Sequence, residues 1–315
     1  MARRGHAGAA PRPLETGAHA ATVWLQQLIN GVSLGATYSL VALGYTLVFG
    51  TLGIINMAHG EIFMFGAFFG LLLVETGLLS SVGMLAAAAG GAAVMGLLLE
   101  YIALRPLRRR QGGHLTPLIS TIGVSIFLRS LALQLFGPES QSFPAALKGG
   151  SFRLGGTVVT QVDAVILTAA LGLMLGLWLL LGRTKLGKAM RATAENQTTA
   201  ALLGVNTEAI IALTVMLAAA LGGVAGALVG LSFAVSPSMG LPYGLKGLSI
   251  IVLGGMGNVV GAMVGGLLLG FAEVVTVQLF SSSWRDMAAF ALLFLLLVVK
   301  PEGLFGRAHQ AGGKV

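Results

Sequence analysis

The fold follows from residues 28–50, which read LINGVSLGATYSLVALGYTLVFG. This run has no charged side chain and belongs to an apolar segment over 22–50. A helix of about 20 apolar residues is long enough to cross the hydrocarbon core of a bilayer. The segment therefore predicts a membrane span, either one long tilted helix or two short ones broken near Gly31–Gly35.

The same pattern repeats along the chain. Of the 315 residues, 56% are hydrophobic and 10% are charged, whereas soluble domains carry about 25% charged residues. Apolar segments lie at 22–50, 60–76, 82–104, 115–136, 162–182, 209–233, 243–256, 258–280 and 285–300. They lack the alternation of barrel strands. The predicted fold class is all-α, a polytopic transmembrane helical bundle of about eight to ten spans with interrupted helices.

Three regions are expected from composition. Residues 1–21 are polar and rich in Ala, Gly and Pro, which predicts a disordered N-terminal tail. The membrane domain covers 22–306, and 307–315 form a C-terminal tail. The chain has no cysteine, which excludes disulfides and thiol chemistry.

The net charge of +8 comes largely from basic loops. One cluster lies at 105–114 and another within 183–208. Because positively charged loops stay on the cytoplasmic side, both are predicted to be cytoplasmic, and nucleic acid is not an expected partner. The segment between 136 and 162 is then external, while the side of the N-terminus stays open.

Two polar breaks interrupt the apolar pattern. The first is GIINMAHGEIFMFGA at 53–67, and the second is SPSMGLPYG at 236–244. Interrupted hydrophobic segments in the two halves of a chain are typical of transporters with internal repeats. In the first break, Asn56 is expected to cap a helix that starts near Ala58.

The segment 182–208, GRTKLGKAMRATAENQTTAALLGVNTE, is predicted to contain a surface helix. The helix would carry the apolar residues of 200–203 and end at a Gly204 cap. It would offer an apolar knob to a cytoplasmic partner; the alternative is a helix that lies on lipid.

Glu195, the Ala200–Ala201 pair and Gly204 in this setting resemble the coupling loop of ABC importer permeases. The stretches 28–50 and 53–67 look like the start of the branched-chain amino acid permeases of the LivH type. Three later blocks are similar to the same family: PLISTIGVSIFLR, RATAENQTTAALLGVNTEAIIALT and IVLGGMGNVVGAMVGGLLLGFAE. The resemblance covers 22–306, and permeases for urea and short-chain amides are similar over the same blocks.

The resemblance implies a permease subunit whose cytoplasmic coupling helix docks on ATP-binding subunits in the bacterial inner membrane. The expected partners are a LivM-like second permease, two ATP-binding subunits and a periplasmic solute-binding protein. No cofactor is expected in this chain, because ATP and Mg would be held by the partners. The expected coupling residues are Glu195, Ala200, Ala201, Leu203 and Gly204.

The resemblance also places the first break near the translocation pathway. His59 and Glu61 either form a buried hydrogen-bonded pair that fixes the break or contact the solute directly. Lys246 is expected to face an external vestibule, and Glu273 to be paired or to line a subunit interface. Arg129 is expected near the external third of its span. The pathway and helix-break candidates are thus Asn56, His59, Glu61, Lys246 and Glu273.

Two glycine series are expected to form smooth helix faces for close packing, within the chain or between subunits. They are Gly222, Gly226 and Gly230, and Gly257, Gly261 and Gly265.

Two other function classes compete with a transporter. An intramembrane enzyme using His59 and Glu61 would need further chemistry, but the chain has no H-E-x-x-H pair and no G-x-S-x-G elbow. No catalytic or metal residue is therefore assigned. A passive channel would not need the segment 183–208. The absence of a G-x-x-x-x-G-K-[ST] run means that ATP hydrolysis must come from other subunits.

Overall fold

The structure is a computed structural model that describes residues 13–77, 80–109, 115–154 and 157–306. Its helices in chain order are α1 (Pro13–Leu52), α2 (His59–Glu75), α3 (Ser81–Leu99), α4 (Arg105–Arg109), α5 (Thr116–Phe136), α6 (Ala145–Lys148), α7 (Gln161–Arg183), α8 (Lys185–Glu195), α9 (Gln197–Leu202), α10 (Thr207–Ser232), α11 (Gly240–Gly254), α12 (Val259–Leu279) and α13 (Arg285–Val299). A π-helical turn, Glu100–Leu104, joins α3 to α4, and a 3-10 turn, Ser282–Trp284, precedes α13. A short antiparallel hairpin pairs β1 (Ser151–Leu154) with β2 (Thr157–Thr160).

The predicted all-α membrane bundle is confirmed. In the described part of the chain, seven helical segments are long and apolar enough to cross a membrane: Thr22–Leu52, Ser81–Arg109, Thr116–Phe136, Gln161–Arg183, Thr207–Ser232, Val259–Leu279 and Ser282–Val299. The two remaining apolar segments form the shorter helices α2 and α11, which have 17 and 15 residues. Both follow polar breaks, so the prediction of interrupted helices is also confirmed.

The segment 22–50 is one long helix and not two short ones. α1 continues through Gly31 and Gly35 because these glycines face α12 and do not break the helix. A Cβ at Gly35 would lie only 2.7 Å from the Cα of Leu267, so a side chain there would separate the two helices. The glycines thus serve close packing.

The start of α1 differs from the predicted disordered tail over 1–21. The helix begins at Pro13, a residue that suits the first helical turn because its φ is already helical. Residues 1–12, the end of the basic loop at 110–114 and the C-terminal tail at 307–315 lie outside the described residues.

The centre of the bundle consists of α1, α2 and α10, whose side chains are mostly buried. α3, α11 and α12 pack around them. α5, α7 and α13 lie at the periphery and leave large apolar side chains exposed, among them Ile126, Leu175 and Phe294. One end of the bundle carries α4, α8 and α9 and is called here the basic end. The opposite end carries the segments 137–154 and 157–160 and is called the loop end.

The glycine series pack within the chain. Cβ atoms at Gly226 and Gly261 would collide with the backbones of Phe63 and Gly254, so the first series lets α2 approach α10 and the second lets α11 approach α12. The expectation is wrong for Gly257, which precedes α12 and has a φ of +81°. Its spacing matches a helix face, but the chain turns there before the helix begins. At the other end of the first series, Gly230 packs against Val235 and Phe143 instead of a helix.

Candidate functional site

The first break lies between α1 and α2. Asn56 Oδ1 accepts a hydrogen bond from the Ala58 amide at 3.1 Å. The amide of Met57 donates to Thr121 Oγ1 of α5 at 3.2 Å. The predicted cap is therefore wrong in detail, because the N-cap of α2 is Ala58 and no side chain caps that helix. Asn56 instead satisfies the amide one residue before α2 begins, and α5 satisfies the preceding amide, in surroundings where an unpaired amide is costly.

His59, the first residue of α2, occupies a pocket made by two glycines. Its ring lies between Gly44 of α1 and Gly222 of α10, where a Cβ at Gly222 would lie 3.0 Å from the imidazole Cε1. Tyr45 packs against the ring edge to face, with ring centroids 4.6 Å apart. The side chain is 1% exposed, and Nε2 has no hydrogen-bond partner within the described residues.

Glu61 faces a different neighbour. Ser125 Oγ of α5 donates to its Oε1 at 3.2 Å. Its Oε2 is buried without a partner among the described residues and lies against Gly240, where a Cβ would collide with it. The carboxylate thus keeps one oxygen free at the point where α11 begins.

The predicted hydrogen-bonded pair of His59 and Glu61 is not formed. The hydrogen bonds of the described residues include none between the two side chains. The reason is helical geometry, because residues two apart on a helix point about 200° from each other. His59 faces α1 and α10, while Glu61 faces α5 and α11.

The two interrupted helices begin at the same place. A Cβ at Gly60 would collide with the Gly240 carbonyl oxygen, so the starts of α2 and α11 are in direct backbone contact. Helix starts present free amides and a partial positive charge. We call Asn56, His59 and Glu61, together with these two helix starts, the helix-break cluster. It combines an imidazole nitrogen and a carboxylate oxygen that have no hydrogen-bond partner among the described residues with the partial positive charge of two helix starts.

A second polar group, called here the ion cluster, consists of the buried Tyr38, Lys246 and Glu273 together with the exposed Asp286. The Lys246 ammonium lies 2.8 Å from Glu273 Oε1 and 3.0 Å from Asp286 Oδ1. It donates to the Tyr38 hydroxyl at 3.1 Å, and that hydroxyl donates to Glu273 Oε2 at 2.9 Å. Lys246 and Glu273 are buried, whereas Asp286 is exposed at the start of α13.

These contacts test the predictions made for Glu273 and Lys246. The pairing expected for Glu273 is confirmed. Lys246 is not open to a vestibule, because its ammonium is enclosed between α1, α12 and α13. Arg129 is exposed on α5.

The surface helix predicted within 182–208 is present as α8 and α9. Asn196 caps α9 by accepting from the Thr199 amide at 2.8 Å. Gly204 ends the segment with a φ of +87°, a conformation that favours glycine. The predicted glycine stop is therefore confirmed.

The exposed knob of this segment differs in part from the predicted one. Glu195, Ala201, Leu203 and Gly204 are exposed as expected. Ala200 is 2% exposed, because it lies on the inner face of α9, and it cannot contact a partner directly. Leu202, which was absent from the expected coupling set, is 83% exposed and lies beside Leu203 at 79%. Two adjacent leucines before a glycine stop were the sequence signal for it.

In the part of the chain that the structure describes, there is no group of three or more His, Cys, Asp or Glu side chains that could hold a metal ion.

The architecture is that of a multi-pass membrane protein with interrupted helices that meet inside the bundle. The chain belongs to the family described as branched-chain amino acid transport system / permease component, whose model matches residues 27–298. It is therefore a transport permease and not an enzyme.

Curated relatives agree over nearly their whole length. The chain is 41% identical to the high-affinity branched-chain amino acid transport system permease protein BraD of Pseudomonas aeruginosa, over 90% of this chain and 96% of that protein. It is 39% identical to the permease protein LivH of Escherichia coli K12 and to LivH of Salmonella typhimurium, with the same coverage. No solved structure matches the chain.

Proposed function

We propose that this chain is the membrane-spanning permease subunit of an ABC importer for leucine, isoleucine and valine. The observation that carries the proposal is the family match over 27–298, because it includes both polar breaks and the surface helix. Relatives with branched-chain amino acid transport in their names align over 96% of their own length. The solute is thus inferred from whole-chain similarity.

The exposed knob at Leu202 and Leu203 is the proposed contact with the ATP-binding subunits. Apolar side chains of this exposure in water favour burial against a partner. One ATP-binding subunit would dock on each permease, and these two subunits would hold ATP and Mg. This chain has no phosphate-binding G-x-x-x-x-G-K-[ST] run to hold them itself.

The remaining partners follow from the exposed surfaces. A related second permease would cover part of the apolar faces of α5, α7 and α13. The basic loops at 105–114 and 183–208 would lie in the cytoplasm, with the chain in the inner membrane. The loop end would then face the periplasm and receive solute from a binding protein.

Motion would pass from the surface helix to the interrupted helices. α8 packs against α1, α7 and α10, so a shift of the docked segment displaces the walls of the His59 pocket. Alternating access by rocking of helix groups around a central site is the usual mode of transporters with interrupted helices. In this mechanism the helix-break cluster borders the pathway, and Lys246 and Glu273 hold α11 and α12 together beside it.

The solute is tested by reconstitution with the second permease, the ATP-binding subunits and the binding protein. ATP-dependent uptake of leucine should exceed that of urea and of a sugar. Preferred uptake of urea would assign the chain to an amide permease instead. Chemical conversion of a solute by the isolated chain would contradict a transport role.

The docking role is tested by Leu202→Ser. Because Leu202 is exposed, folding should be unchanged, while loss of an interface side chain should lower solute-stimulated ATP hydrolysis about tenfold or more. Leu186→Ser on α8 is the matched control, since this leucine is also exposed but lies outside the knob. Gly204→Val and Glu195→Lys should show the same loss, and normal stimulation in all three variants would contradict the docking role.

A further inference from the structure

A cavity of about 290 Å³ opens near the loop end of the bundle, away from the helix-break cluster. Its walls come from α1, α7, α10, α12 and α13 of this single chain. The volume lies just below the range for small-molecule sites, which begins at about 300 Å³. The cavity therefore suits a small solute.

A series of hydrogen-bonded Gln and Asn side chains lies at the rim of the cavity. Gln27 of α1 donates to Gln278 of α12 at 2.6 Å, and Asn30 donates to Gln27 at 3.4 Å. Gln26 joins Asn30 and also bonds both the amide and the carbonyl of Val158 in the hairpin. We call this space the amide-rimmed cavity. Its rim carries side-chain hydrogen bonds that join α1 to α12 and α1 to the hairpin.

Two opposite charges line the cavity on different helices. Arg285 at the start of α13 has a buried Nε without a hydrogen-bond partner in the described part of the chain, and its ion contact with Glu273 is long, at 3.9 Å. The described hydrogen bonds accepted by the Asp163 carboxylate on α7 all end at Oδ2, which forms a capping box with Thr160. Asp163 Oδ1 and the Arg285 guanidinium therefore remain available.

Further inside, the lining is mixed. Ser33 Oγ is buried without a partner among the described residues. The lining also includes the hydroxyl groups of Thr37 and Ser232 and apolar side chains, among them Ile166, Val229 and Val274. A guanidinium, a carboxylate and a branched apolar wall are complementary to the carboxylate, ammonium and side chain of a branched aliphatic amino acid.

We propose that the amide-rimmed cavity binds a free α-amino acid with a branched aliphatic side chain. Arg285 holds the carboxylate, Asp163 holds the ammonium, and the apolar wall takes the side chain. This inference rests on the proposed function for the identity of the solute. It adds a solute site inside one permease chain, separate from the helix-break cluster.

The test measures equilibrium binding of radiolabelled leucine to the assembled permease complex in nanodiscs, without binding protein or nucleotide. Two analogues each lack one charge: 4-methylpentanoate has no ammonium and 3-methylbutylamine has no carboxylate. Each should bind about tenfold or more weakly than leucine, because each loses a charged hydrogen bond.

Two variants test which charged group of leucine each of the two cavity residues binds. Asp163→Asn keeps an oxygen for Thr160 and should abolish the preference for leucine over 4-methylpentanoate. Arg285→Gln should abolish the preference over 3-methylbutylamine. Arg285→Lys, which keeps the charge near Glu273, should weaken leucine binding about tenfold because lysine lacks the two-point geometry of arginine. If Asp163 and Arg285 had only a structural role, replacing them would weaken the binding of leucine and of both analogues equally.

Arg153→Gln and Glu139→Gln are the matched controls, since both residues are exposed near the loop end and outside the cavity. Leucine binding that is absent, or that is unchanged in both Asp163→Asn and Arg285→Gln, overturns the proposal. ATP-driven leucine uptake measured in parallel separates the two claims. If leucine is taken up but does not bind in the cavity, the inference is wrong and the proposed function is retained. If leucine binds with the expected dependence on charge but is not taken up, the cavity site is supported and the proposed transport function is contradicted.

Discussion

The helix-break cluster and the ion cluster are both buried among apolar helices, yet they satisfy their polar atoms differently. In the ion cluster, Lys246 has Glu273, Asp286 and Tyr38 around its ammonium. In the helix-break cluster, His59 Nε2 and Glu61 Oε2 have no partner within the described residues. Buried polar atoms normally have partners. The difference indicates that the charges of the ion cluster are matched by one another within the fold, while the helix-break cluster keeps buried hydrogen-bonding capacity that a solute or water could use.

The largest expected effect comes from breaking the ion cluster. Glu273→Leu leaves the Lys246 ammonium buried with only Asp286 and Tyr38, which should cost about 3–5 kcal/mol of stability. The measurement is thermal unfolding of the purified complex. Asp286→Asn is the control, because this carboxylate contacts the same ammonium but is 69% exposed and should cost less than about 1 kcal/mol.

Adding Lys246→Met to Glu273→Leu removes both charges. The double variant should recover most of the lost stability, because replacing a buried ion pair with apolar side chains is often neutral. A double variant as unstable as Glu273→Leu alone would show that the unpaired Lys246 charge does not cause the loss of stability.

A smaller effect is expected where the two interrupted helices meet. Gly240→Ala places a methyl group against Glu61 Oε2 and should cost about 1–3 kcal/mol through overpacking. Adding Glu61→Ala should restore part of that loss. Gly123→Ala on α5 meets open space and should be stabilising by about 0.5–1 kcal/mol, as expected for a helix-interior glycine. Equal unfolding temperatures for Gly240→Ala and Gly123→Ala would contradict the close contact between Gly240 and the Glu61 carboxylate.

Glu61→Gln should separate function from stability. Glu61 has a single hydrogen bond from Ser125 and no ion pair within the described residues, so the isosteric change should cost less than about 1 kcal/mol. Uptake of leucine should nevertheless fall several-fold, because the free carboxylate beside the helix starts is lost. Glu139→Gln at the exposed loop end is the control, and wild-type uptake by Glu61→Gln would remove Glu61 from the pathway.

The smallest effect is expected for an ion pair at the basic end. Arg105 and Glu208 lie 2.5 Å apart but their side chains are 31% and 42% exposed, and Arg109 is a second partner of Glu208 at 3.7 Å. Arg105→Gln should therefore cost about 0.2–1 kcal/mol, a loss that salt reduces further. Unfolding measured at low and high salt tests this, and a loss equal to that of Glu273→Leu would refute the distinction between exposed and buried pairs.

The sequence was most informative where a pattern is local. The apolar segments, the break at Asn56 and the glycine stop at Gly204 are all visible within a few residues, and each is confirmed. Prediction was less accurate where the result depends on the direction in which a side chain points. Ala200 and Leu202 are two residues apart on α9, yet the first is buried and the second exposed. Periodicity alone did not show which face of so short a helix turns inward.

By itself, the sequence determined that this protein is a membrane-embedded helical bundle and that it belongs to a permease family. The reason is that lipid demands long apolar helices, and composition reveals them without any knowledge of contacts. Only the tertiary structure decided that His59 and Glu61 point apart, that α2 and α11 begin side by side, and that Asp163 and Arg285 line one cavity. Such contacts depend on helices that are distant in sequence, and their distances are set by packing that no local pattern records.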